Sequence, residues 1–230
     1  MKPVVPAVLA LALTMTAGPA LAETYRFTGA NYIVISNECS AGPSCPPYTN
    51  AMSLSGSFST AAPLAANLPA GTEITAQVTA YSFSDGVNTY SSADPDARIR
   101  TFQVGTDGLG NIAAENIQLT RWLTGSTPHA PGDQFATAGI LNGDLTVALS
   151  PLPCQVVGIA DSFGATSNVP DTCVEGTADS STTNTGSSET AGFWSSALVP
   201  TLGNAALGLL AALFAGLGWH FLRRRRFSEV

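Results

Sequence analysis

Lysine is absent from this 230-residue chain beyond Lys2. That absence excludes a phosphate-cradling Walker loop, a Schiff-base lysine and a Ser–Lys dyad. Histidine is nearly as scarce: there is His220 near the C-terminus and His129 in the run Thr127-Pro128-His129-Ala130-Pro131. With no G-x-S-x-G nearby, His129 reads as an exposed loop residue between prolines rather than a general base. Charged residues make up 11% of the chain, against about a quarter in ordinary soluble domains. Setting aside Lys2, the arginines after Leu222 and Glu229, four arginines face fifteen acids, a net charge of −11. A body this acidic has no electrostatic means of holding nucleic acid. No C-x-x-C pair and no full D-x-D-x-D-G-x5-E loop occurs, which argues against zinc and EF-hand calcium sites. No cofactor is expected.

The sequence does have two apolar ends. Met1-Lys2 opens a run from Val4 to Met15, and Ala20-Leu21-Ala22 then supplies the small-x-small pattern of signal-peptidase cleavage. Residues 1–22 read as a signal peptide cut between Ala22 and Glu23. The apolar run is too short to span a bilayer comfortably, and Pro19 interrupts any extension. Near the other end, 205–222 is an uncharged segment that would extend about 27 Å as a helix. Arg223, Arg224, Arg225 and Arg226 follow as a membrane stop. This asymmetry predicts a single-pass protein with its body outside, 227–230 being the cytoplasmic tail.

Export also sets the redox context. Cys39, Cys45, Cys154 and Cys173 all lie in the exported part, where an even number favours disulfides. Three pairings are possible, and loop closure favours Cys39 with Cys45 and Cys154 with Cys173.

The body, 23–174, reads as all-β. Apolar residues recur with period two at Tyr25 and Phe27, at Met52, Leu54, Gly56 and Phe58, at Ile74, Ala76, Val78 and Ala80, and at Leu145, Val147 and Leu149. Asp85-Gly86, Asp107-Gly108 and Asn142-Gly143 supply turns. A hairpin of 98–104 and 112–122 is the clearest element, and seven to nine short strands imply an antiparallel β-sandwich or jelly roll. Residues 175–198 are polar, rich in Ser, Thr and Gly and without periodicity, and read as a disordered tether.

Few residues in the body suggest chemistry. Asp94, Asp96 and Asp107 sit in acidic turns and are weak calcium candidates, although hairpin geometry explains the same residues. Tyr81, Tyr90 and Trp122 are candidates for stacking on sugar rings. Paired carboxylates for glycoside hydrolysis have no signature that singles out two of the fifteen acids. No catalytic residue is assigned.

Val199-Pro200-Thr201-Leu202, the apolar segment and the arginine cluster together resemble the IPTL-CTERM sorting signal, a relative of PEP-CTERM, over 199–226. Val199 stands for the usual Ile, and Gly203-Asn204-Ala205 departs from the common continuation. The resemblance implies recognition and cutting by an exosortase-type membrane transpeptidase in a Gram-negative envelope, often beside exopolysaccharide. The body also resembles a recurrent extracellular domain of PEP-CTERM-type proteins, through stretches such as Tyr81-Ser82-Phe83-Ser84-Asp85-Gly86. That likeness implies location and architecture only. The expectation is an exported cell-envelope protein, structural or adhesive and non-enzymatic. Its expected partners are signal peptidase, an exosortase-like enzyme, the membrane and exopolysaccharide. The alternative is an extracellular glycan-binding module or weak polysaccharide-active enzyme.

Overall fold

The structure is a computed structural model that describes residues 22–39, 45–142, 144–160 and 167–199. The strands run β1 (Ala22–Asn31), β2 (Val34–Asn37), β3 (Ser53–Thr60), β4 (Thr72–Glu73), β5 (Val78–Ser84), β6 (Thr89–Ser91) and β7 (Ala97–Thr106). They continue with β8 (Ile112–Trp122), β9 (Gln134–Leu141), β10 (Leu145–Gly158), β11 (Thr172–Gly176), β12 (Asn184–Ser188) and β13 (Phe193–Val199). One sheet has the order β13-β1-β3-β5-β6 and the other β2-β12-β10-β9-β8-β7-β4, with β11 added to β10. Every pairing is antiparallel. This is the expected all-β sandwich.

The core forms where the period-two residues of both sheets meet. Tyr25 and Phe27 of β1, Leu54 and Phe58 of β3, Phe102 and Val104 of β7, and Ile117 and Leu119 of β8 are all buried in one cluster. Met52, at the entry to β3, packs on the Tyr32–Tyr48–Ala148 cluster beside β10. Phe58, near the exit of β3, meets Phe102 of β7 edge-on at 4.8 Å. Because β10, β9, β8 and β7 are successive neighbours, β3 runs across that sheet.

The long hairpin forms as expected, β7 on β8, with Arg98 opposite Thr120 and Val104 opposite Glu115. A register shift between Ile99 and Thr101 inserts one residue, Arg100. The bulge lets odd-numbered Ile99 and even-numbered Phe102 and Val104 face the same core. On the outer face of this sheet a second cluster forms from Trp122, Phe135, Leu152, Cys154 and Cys173.

Three expectations need correction. The described residues hold thirteen strands, ten of them before Ile159, rather than seven to nine. The alternation of Ile74, Ala76, Val78 and Ala80 is not one strand. Thr75–Gln77 form a single 3-10 turn, and β5 buries Tyr81 and Phe83 while Ala80 is exposed. The turn advances the chain enough to reverse the phase.

The largest correction concerns 175–198, which is no disordered tether. Its first residues complete β11, and β12 and β13 follow. Polar composition concealed them because the buried partners come from elsewhere. A Cβ at Gly186 would lie 2.7 Å from the Tyr32 ring, so glycine makes room for a buried aromatic. Trp194 supplies the apolar anchor of β13, with its ring 5.1 Å from Phe27 and 5.7 Å from Phe58. The sandwich therefore extends to Val199. Residues 1–21 and 200–230, which carry the signal-peptide, Pro200, Thr201, Leu202, 205–222 and Arg223 to Arg226 expectations, lie outside the described residues. Among the described residues no helix is long and apolar enough to cross a membrane.

Candidate functional site

The residues assigned to processing come together through backbone pairing. β1 begins at Ala22 and β13 ends at Val199, and the two are direct antiparallel partners. Glu23 is opposite Leu198, and the register continues without a break to Thr28 opposite Phe193. The other side of β1 is held by β3, from Glu23 opposite Thr60 to Thr28 opposite Ser55. One pair of strands thus carries both the Ala22–Glu23 junction and the first residue of the Val199-Pro200-Thr201-Leu202 motif. Sequence reading missed this juxtaposition because β13 lay in the supposed tether.

The four cysteines pair as loop closure favoured, Cys39 with Cys45 and Cys154 with Cys173. The second pair is buried and joins β10 to β11 within the outer-face cluster.

A polar cluster beside that disulfide contains the one histidine of the body. His129 is not an exposed loop residue; its side chain is 1% exposed. Its ring stacks on Trp122 at 4.3 Å with an interplanar angle of 4°. Asp171, in the left-handed region with φ 55°, organises the cluster. Its Oδ1 accepts from the His129 backbone N–H at 2.8 Å, and its Oδ2 lies 2.9 Å from His129 Nδ1 and 2.8 Å from Arg98 Nη2. Its carbonyl accepts from Trp122 Nε1 at 2.9 Å. Burial alone would raise the Asp171 pKa, but the donors from His129 and Arg98 outweigh it and hold the carboxyl below its usual range.

Arg100 Nη2 donates to the Val174 carbonyl at 2.8 Å, so Arg98 and Arg100 both fasten the β11 segment to β7. The imidazole has one face covered by Trp122 and its Nδ1 on a carboxylate. In chemical terms this is a clamp between segments, and the pairing of His with Asp positions the chain.

A second polar cluster centres on Asp85, which is fully buried. Its Oδ1 accepts from the N–H groups of Val87 at 2.8 Å and Asn88 at 2.5 Å. Its Oδ2 accepts from the Tyr48 and Tyr90 hydroxyls at 3.0 and 2.8 Å. Burial first, then the nearby Asp85 charge, pushes both phenols up. The expected Asp85-Gly86 turn is present, with Gly86 at φ 91°, and its carboxylate also ties the β5–β6 hairpin to the segment around Tyr48.

The calcium candidates do not converge. Asp94 precedes β7 and Asp107 follows it, at opposite ends of a ten-residue strand that spans roughly 33 Å. Asp94 Oδ2 is 2.7 Å from Arg121 Nε, and its Oδ1 accepts from the Asp96 N–H at 2.9 Å. Asp107 accepts from the N–H groups of Leu109 and Asn111 at 2.8 and 2.9 Å and from Asn111 Nδ2 at 3.0 Å. Among the described residues no group of three or more His, Cys, Asp or Glu is placed to hold a metal ion. The sugar-stacking candidates are likewise committed to packing: Tyr81, Tyr90 and Trp122 are 8%, 0% and 3% exposed. Rings that deep offer no face to a saccharide.

Residues 199–226 match the IPTL-CTERM motif. No curated protein and no solved structure matches the chain. The sorting motif marks an exported or cell-envelope protein sorted through its C-terminus and implies a processing enzyme of the exosortase type.

Proposed function

We propose that this chain is a non-enzymatic cell-envelope protein. In this reading signal peptidase cuts after Ala22, and 205–222 holds the precursor as a single-pass anchor with Arg223 to Arg226 as its stop. A membrane transpeptidase then cuts close to Pro200, leaving the sandwich as a structural or adhesive unit at the cell surface. The observation that carries the reading is the sorting motif beginning at the last residue of the last strand.

The polar clusters support a structural role. Three of the four body arginines are used internally, Arg98 on Asp171, Arg100 on Val174 and Arg121 on Asp94. Asp85 and His129 are both buried. A catalytic base has to reach its substrate, and these groups are spent on holding loops.

The test uses protein isolated from its own host and incubated with that host's exopolysaccharide. The reading predicts no new reducing ends. Their sustained release, abolished by heat denaturation, would overturn the non-enzymatic role.

A further inference from the structure

Sheet edges carry unpaired N–H and C=O groups that recruit other strands, and soluble proteins blunt them with short strands, charges, prolines or bulges. Among the described residues five strands have a partner on one side only, and four of them are short: β2 has four residues, β4 two, β6 three and β11, which pairs only β10, five. The fifth, β13, has seven. Its sequence, Phe193-Trp194-Ser195-Ser196-Ala197-Leu198-Val199, contains no charge and no proline. Its register with β1 is unbroken, so no bulge turns it away. Phe193 on this strand is 63% exposed. Nearby, the Ile33 N–H bonds to the Ser187 carbonyl at 2.9 Å, at the end of β12 that leads into β13. Ile33 and Val34 are 62% and 56% exposed.

We infer that β13 pairs antiparallel with β13 of a second copy about a two-fold axis near its centre, joining two five-stranded sheets into one. The occupant follows from charge and length. A sandwich carrying −11 over 23–199 repels its own copies over most of its surface, whereas an uncharged strand meets its own equivalent without any unpaired charge. Among the described residues no other strand with a single partner is as long, so the edge that matches it in length is the same strand on another molecule. The pairing is also closed: once both β13 edges are used, the joined sheet ends in the three-residue β6 at either side, so growth stops at two. Each copy's Phe193 lies against the Ala197 end of its partner. Nothing in this argument depends on whether the tail is cut.

The experiment places one cysteine in the full-length exported protein in its own envelope, at Ser195, Ser196 or Ala197, with Thr89→Cys on the β6 edge as control. The two native pairs leave no other cysteine free. A reducible dimer is expected from at least one β13 position and not from Thr89→Cys. Adding Phe193→Lys and Ala197→Lys to the best cross-linking variant should abolish the band while leaving the four native cysteines oxidised. Four outcomes would overturn the inference: no dimer from any β13 position; equal dimer from Thr89→Cys; a cross-linked product whose mass is not twice that of the chain; or a band that survives both lysines, which would show that another part of the chain holds the copies together.

Discussion

Ala22 and Val199 are directly opposed across the β1–β13 ladder, so the two proposed cleavage points leave their new termini side by side at one end of one strand pair. The Ala22–Glu23 junction lies within the ladder, and the sorting motif begins at the ladder's last residue. Backbone held in a ladder is a poor protease substrate until it opens. The cut at the sorting motif should therefore fall at or beyond Val199 and spare Ser195 and Ser196. Inserting six Gly/Ser residues between Leu198 and Val199, which leaves the motif intact, should speed conversion of precursor to mature protein in pulse-chase. An unchanged or slower rate would show that ladder end and motif are not coupled.

Trp194 is the anchor that makes a strand of a polar segment. Replacing it with alanine removes the ring packed between Phe27 and Phe58 and should cost about 3 kcal/mol, read as a lower denaturation midpoint. β13 should then also become susceptible to limited proteolysis. A change under about 0.5 kcal/mol, typical of a surface site, would mean that 193–199 adds nothing to the sandwich.

The Asp171 clamp predicts a pH dependence with a definite sign. Its carboxyl is held below the usual range by His129 and Arg98, against the opposing effect of burial. A depressed folded pKa contributes stability that is present above the unfolded value, about 3.9, and is lost as pH falls through the folded one. Stability should therefore drop below about pH 4, and Asp171→Asn, which tolerates the left-handed backbone, should flatten that part of the profile. At neutral pH the same substitution should cost roughly 3 kcal/mol by removing the carboxylate charge between Arg98 and His129. Urea titrations of both proteins from pH 3 to 7 decide it.

The disulfides differ in what they hold. Cys154 and Cys173 are 19 residues apart and buried, whereas Cys39 and Cys45 are 6 apart with Cys39 half-buried. Loop-closure entropy assigns about 3 kcal/mol to the first and about 2 to the second. Intact mass should rise by four hydrogens on full reduction, and mild reductant should open Cys39–Cys45 first. Free thiols at all four positions in native exported protein would contradict the exported, oxidised picture.

What was legible in the sequence follows from where each signal lies. The β7–β8 hairpin and the alternation in β1 and β3 are local, because the buried residues and the turn that joins them are neighbours along the chain. β12 and β13 were not legible: their burial depends on Tyr32 and Phe27, more than 150 residues away, and a Ser/Thr/Gly run shows no period of its own. The same holds for His129. Two prolines marked a loop, but Asp171 and Trp122, which bury the ring, are brought to it by β11 and β8. The cysteine pairs were legible because short separations dominate loop closure.

The central claim is that this body is exported and cut beside its last strand. C-terminal peptide mapping of mature protein from its own host tests it most directly, alongside a variant with Pro200 and Thr201 both replaced by alanine. The account predicts wild-type protein ending close to Pro200 and lacking 205–230, with the variant retained in the membrane fraction at full length. Wild-type protein that still ends at Val230 would contradict it.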